Sequence, residues 1–122
     1  HIVFALSSFN NLVKNGRMSK IVGFVANKLG FWGIGIGSEQ GTIEIKQKIR
    51  GSKKALDAII DDMKERGYNC GKVVISHCRN AEFAESVKSA IQSVWDKAEV
   101  KIVHARGLCS YYAEKGGLII GF

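Results

Sequence analysis

The spacing of apolar and polar positions changes period several times along the chain, and each change marks an element. Ile2 to Leu6 is a short apolar run, expected as a strand. Ser7 or Ser8 offers a cap for a short helix carrying Phe9, Leu12 and Val13, which Asn15 and Gly16 end. Ser19 opens a second helix with Val22, Val25 and Leu29 at helical spacing, stopped by Gly30. Phe31 to Ile36 reads as a glycine-spaced strand, "SEQG" as a hairpin turn, and Thr42 to Ile49 as the return strand. In that return strand Ile43, Ile45 and Ile49 share one face and Glu44, Lys46 and Lys48 the other, the alternation of a half-buried antiparallel strand.

Ser52 is expected to cap a further helix, with Leu56, Ile59, Ile60 and Met63 on one side and Gly67 as the stop. Lys72 to Ser76 is a nearly continuous apolar strand. Asn80 caps a helix bearing Phe83, Val87, Ala90, Ile91 and Val94, and Val100, Ile102 and His104 continue as another strand. Lys72 to His104 is therefore a β-α-β unit, expected parallel and right-handed. Cys109 to Lys115 fits one or two helical turns, broken by Gly116 and Gly117 before "LIIGF" returns as a strand. The expected architecture is α/β or α+β: one domain over residues 1–122, with a mixed sheet of about five or six strands and helices packed on it.

Composition narrows the partners. With 122 residues, 46% of them hydrophobic, the chain can build a real core. Its longest apolar stretch is interrupted by Lys20, Asn27 and Lys28, so no membrane span is expected. Strand pattern begins almost at His1, and "LIIGF" ends in mid-pattern, so a piece of a longer protein is expected. The net charge of +7 suits anionic partners. The densest basic cluster, residues 46 to 54, has no interleaved aromatic as a stacking platform. A solvated strand edge and helix start is the plainer account of it, and nucleic acid is not an expected partner. The cysteines Cys70, Cys78 and Cys109 have neither metal-site nor redox spacing, so free thiols in a reducing cytoplasm are expected.

Three groups of residues invite chemistry. Gly33, Gly35 and Gly37 alternate, so all three point to one strand face; no helix follows them, which excludes a phosphate loop. A face without side chains lets either a packed helix or a ligand chain approach closely. His77 and Cys78 are adjacent on leaving a strand, where neighbouring side chains point opposite ways; His77 then caps the turn with Asn80 rather than serving a nucleophile. His104 and Arg106 leave the next parallel strand, where ligands of α/β sheets gather, and Ser110 follows. Arg106 is open to both a head-group role and a plain surface charge.

The order of these motifs resembles the C-terminal half of the DegV family of bacterial lipid-binding proteins. "FNNLVKNGRMS" is similar to the family's L-x-x-L-x-x-G-G-R-I-S, with Asn15 in place of the first glycine and Gly16, Arg17 and Ser19 kept. "FWGIGIGSEQGTIE" stands where the family has a strand pair, "IRGSKKAL" matches its R-x-x-K-K-A, and "VVISHCRNAEFAESV" its strand ending in histidine before a helix. The resemblance implies a cytoplasmic two-domain protein whose N-terminal domain, with Ser and Thr groups for a lipid carboxylate, is absent from this chain. It implies a long-chain fatty acid as ligand, no other cofactor and no metal. The binding subunit itself is then not an enzyme; it serves a two-component fatty acid kinase whose separate catalytic subunit makes an acyl phosphate.

On that resemblance Arg17 sits near the carboxylate as a fixed donor fork, because a buried carboxylate costs several kcal/mol unless paired. The acyl tunnel is expected from Ile21, Phe24, Val25, Phe31, Ile34 and Ile36. One departure stands out: the family's closing H-T-G-P-G is here "HARGLCSYYAEKGG", so His104, Arg106 and Ser110 are the expected head-group contacts. The alternative is a basic regulatory or nucleic-acid-contacting domain without lipid.

Overall fold

A computed structural model describes residues 1–16 and 30–122. The helix expected from Ser19 to Leu29 lies outside the described residues, and with it the candidates Arg17, Ile21, Phe24 and Val25. The described elements are β1 (Ile2–Leu6), α1 (Asn10–Lys14), β2 (Phe31–Gly37), β3 (Ile43–Arg50), α2 (Ser52–Glu65), β4 (Lys72–His77), α3 (Ala81–Val94), β5 (Glu99–His104), α4 (Gly107–Ala113) and β6 (Leu118–Gly121). The strands form one mixed sheet in the order β3-β2-β1-β6-β4-β5. β4 and β5 pair in parallel through α3, and the other neighbours pair antiparallel. This is the α/β architecture that the alternating periods predict.

Period two assigns the two faces of the sheet. On one face Val3, Ala5, Val73, Ile75, Leu118 and Ile120 are buried against Ala55, Ile59 and Met63 of α2 and Val87 and Ile91 of α3. Each large side chain fully removed from water there contributes about 1.5–3 kcal/mol. The opposite face carries a smaller core of Phe4, Leu6, Phe9, Leu12 and Ala113, under α1 and α4.

One expected alternation fails, for a structural reason. Gly35 pairs with Ile45 but Ile34 pairs with Gln47, so one residue of β3 is extra at this point. This β-bulge re-phases the strand. Ile43 and Ile45 join the smaller core, whereas Ile49 turns to the α2–α3 core. The bulge also brings Lys46 over α2, 3.7 Å from Asp62 and 3.5 Å from Glu65.

Helix starts also depart from the expected serine and asparagine caps. The N-cap of α2 is Gly51, at φ +92 with no side-chain cap, and Ser52 is already helical. Asn80 does hold the N-cap position of α3, but its side-chain amide donates to the Gly116 carbonyl at 2.8 Å. α1 is capped from far along the chain: the Glu114 carboxylate accepts from Ser8 Oγ at 2.5 Å and from the Asn11 N–H at 2.7 Å. Glu114 follows α4 directly and stops it at φ +53, two residues before the expected end at Lys115.

Candidate functional site

The glycine row of β2 is occupied unevenly. A Cβ at Gly33 would run into the Phe9 ring, and one at Gly35 into the Phe4 ring and the Glu44 carbonyl. Two of the three bare positions are thus filled by aromatic side chains from the same protein. A Cβ at Gly37 would meet nothing within 4 Å among the described residues. Above it opens a cavity of about 570 Å³.

The cavity lies on the sheet face away from α2 and α3. Its walls are mainly apolar: Ile2, Phe4 and Leu6 from β1, Ile43 from β3, Ile119 from β6, Leu12 from α1 and Ala113 from α4. β1 supplies every second residue, as a strand must when one face lines a space. Polar groups come at the two ends. Tyr112 stands at the α1–α4 end; His1, Ser38 and Thr42 stand at the β2–β3 hairpin. The size and apolar lining suit a long aliphatic ligand.

The expected wall residues are distributed differently. Ile34 and Ile36 pair with Ala5 and Val3 and so point to the opposite face, away from this cavity. Ile34 is buried in the α2–α3 core. Period two already separates them from the glycines: if Gly33, Gly35 and Gly37 face a ligand, the isoleucines between them face away. Phe31 shares the glycine face but lies beyond Gly33, which Phe9 covers, and Arg50 sits over its ring at 5.9 Å. A second hollow, of about 480 Å³, does touch Ile34, yet it is charged, with Lys46, Asp61, Asp62 and Glu65 around it. Asp62 there is 6% exposed and accepts from Arg66 Nε at 2.8 Å.

The expected head-group residues gather elsewhere. His104 ends β5 beside His77, with ring centroids 4.5 Å apart. Arg106 is the N-cap residue of α4, and Ser110 Oγ donates to the Gly107 carbonyl at 2.8 Å. His104, Arg106 and Ser110 are not wall residues of the cavity; farther along α4, Tyr112 and Ala113 are. The polar wall residue that the sequence did not single out is Tyr112, which sits inside the stretch "HARGLCSYYAEKGG" but later in it.

His77 has the local role that its position suggests. Its Nδ1 accepts from the Asn80 N–H at 3.1 Å, closing the turn from β4 to α3. Burial, and secondarily the neighbouring His104, push its pKa below the ordinary 6.5. With Nδ1 accepting, the neutral ring carries its proton on Nε2. Cys78 Sγ is directed to the Ser110 carbonyl at 3.7 Å, and Cys70 and Cys109 are exposed free thiols. Among the described residues no cluster of His, Cys, Asp and Glu could hold a metal ion, and no helix is long and apolar enough to cross a membrane.

Solved structures share this fold. One is the fatty acid kinase (Fak) B3 protein of Streptococcus pneumoniae loaded with linoleic acid: TM-score 0.91, 40% identity, covering 98% of this chain and 42% of that one. Another is a DegV family protein from Eubacterium eligens loaded with heptadecanoic acid: TM-score 0.92, 39% identity, covering 98% of this chain and 43% of that one. A DegV domain-containing protein of Streptococcus pyogenes serotype M3 is 43% identical over 121 residues, which are 99% of this chain and 43% of that protein. The chain thus spans less than half the length of the curated relatives it matches. The family described as "uncharacterised protein, DegV family" matches residues 1–122, so the chain belongs to the DegV family.

Proposed function

We propose that this chain binds a long-chain fatty acid, with the hydrocarbon tail in the cavity on the glycine face and the carboxylate at the α1–α4 end. The observation that carries this reading is the apolar cavity of about 570 Å³ opening above Gly37. Two similar structures loaded with fatty acids support it. Arg17 follows α1 in the chain just beyond Asn15 and Gly16, and α1 contributes Leu12 to the cavity wall. Its guanidinium is the proposed partner of the carboxylate, joined by the Tyr112 phenol; His104, Arg106 and Ser110 lie off the cavity wall and are left out. The protein acts as a carrier: a separate kinase subunit phosphorylates the carboxylate it presents, and the rest of the parent chain completes the head-group end.

The basic alternative has less support. Of the cluster from 46 to 54, Lys46 is engaged by Asp62 and Glu65 of α2, and Arg50 lies over Phe31. These side chains do not form one row for a phosphate backbone.

Organic extraction of the purified full-length parent, followed by mass spectrometry, tests the proposal. Close to one fatty acid per protein is expected from the wild type, and clearly less from Arg17→Ala. Lipid retained equally in both would remove Arg17 from the head group. No lipid in either, with no uptake of added fatty acid, would sink the carrier reading.

A further inference from the structure

We infer that the β2–β3 hairpin closes the methyl end of the acyl cavity, and that Gly37, opposite Ile43, sets the length of chain accepted. The inference rests on the fatty acid reading and deepens it. Three observations point to the hairpin.

The first is the glycine row. Phe9 occupies the space at Gly33 and Phe4 the space at Gly35, so a chain running along β2 is turned off the strand there. Of the three glycines, Gly37 is the one whose Cβ position no described residue approaches within 4 Å. The second is the pairing of Gly37 with Ile43 across the hairpin. Both residues face the cavity, so their side chains together define how deep its end is. This facing pair consists of one side chain and one bare Cα.

The third is the state of the polar groups. Ser38 Oγ and Thr42 Oγ1 are hydrogen-bonded to each other at 2.8 Å, and Ser38 Oγ also accepts the Thr42 N–H at 3.1 Å. These hydroxyls are largely engaged inside the turn. The His1 ring packs against Phe122 with centroids 5.7 Å apart. With the two hydroxyls paired to each other and no charged side chain among the wall residues at this end, it suits a methyl group better than a carboxylate.

Two variants read out the inference in opposite directions. Gly37→Val adds side-chain volume at the floor, where a Cβ touches none of the described residues within 4 Å. Ile43→Ala removes volume from the facing wall. Each methylene denied burial weakens binding about fourfold. Gly37→Val should therefore weaken octadecanoic acid by about tenfold or more while leaving tetradecanoic acid within about twofold of wild type. Ile43→Ala should move the ratio of the two affinities toward the longer acid. Dissociation constants for both acids on the full-length parent, with circular dichroism to verify folding, give the ratio directly.

Equal weakening of both acids by Gly37→Val would place the carboxylate, not the methyl group, at the hairpin and overturn the inference. An unchanged ratio in both variants, with wild type still binding, would overturn it too and leave the carrier function intact. Binding of neither acid by the wild type would overturn both. Should Gly37→Val fail to fold, the direction of the Ile43→Ala shift decides alone.

Discussion

Phe4 and Phe9 each lie in a space that exists only because a glycine faces them, and this makes the glycines unequal. At Gly35 an alanine methyl would meet the Phe4 ring and the Glu44 backbone, and backbone cannot move aside cheaply. Overpacking of this kind costs about 1–3 kcal/mol. Gly35→Ala should lose that much stability in urea unfolding, and Gly37→Ala, with its open floor, should stay within about 0.5 kcal/mol. Equal effects at the two positions would mean that the cavity is not open at Gly37. His77 offers a second residue-scale test. Its Nδ1 already accepts the Asn80 N–H, so protonation must break that bond as well as charge a buried ring beside His104. The folded state therefore binds this proton less readily than the unfolded chain, whose histidine titrates at the ordinary 6.5. Stability is full above that value and falls as the pH drops through it toward the lowered folded value. The fall should be shallower in His77→Gln when unfolding is measured at several pH values between neutrality and acid. An unchanged slope would assign it to other groups.

At the scale of elements, the largest surprises come from contacts that no local pattern carries. Strand and helix positions were legible because Ile2–Leu6 is an uninterrupted apolar run and apolar residues keep helical spacing from Ala55 to Met63. The caps were not. Ser7 and Ser8 look like helix caps, yet Ser7 Oγ donates to the Lys115 carbonyl and Ser8 Oγ to Glu114. Those partners stand about a hundred residues away, and only the folded sheet brings them near. The same holds for the faces of β3, where a bulge separates Ile45 from Ile49 although both have odd numbers. Glu114 is the test case. Its carboxylate holds the start of α1, and α1 in turn holds Leu12 on the cavity wall. Glu114→Ala should cost about 1–2 kcal/mol, the range for a lost cap with a charged acceptor. It should also weaken fatty acid binding through a displaced α1. Glu114→Gln, which keeps two acceptor sites fewer but the same shape, should recover part of both. Full stability in Glu114→Ala would show that α1 is held by its apolar contacts alone.

For the molecule as a whole, the two sides of one sheet have separate tasks. The side under α2 and α3 holds the larger packed core and a charged hollow beside α2, and the other side keeps an apolar hollow between β1, the hairpin and α4. The mixed sheet and its β-α-β unit could be read from the chain. So could the glycine face as a place of close approach. Which apolar side chains share the glycine face could not be read from apolar character alone, as Ile34 and Ile36 illustrate: they are buried, but on the packed side. Tyr112 was hidden for a different reason. Its place on the cavity depends on α4 folding back over β1 and α1, not on any spacing within its own segment. The central claim, an acyl chain on the glycine face, can be located directly by photo-crosslinking. A long-chain fatty acid with a mid-chain diazirine would be bound to the full-length parent, irradiated, and its adducts mapped by tandem mass spectrometry. Adducts on Phe4, Ile43 and Ile119, competed away by unlabelled fatty acid, are the predicted result. Competed adducts confined to α2 and α3, or to the strand ends around His104 and Arg106, would contradict it.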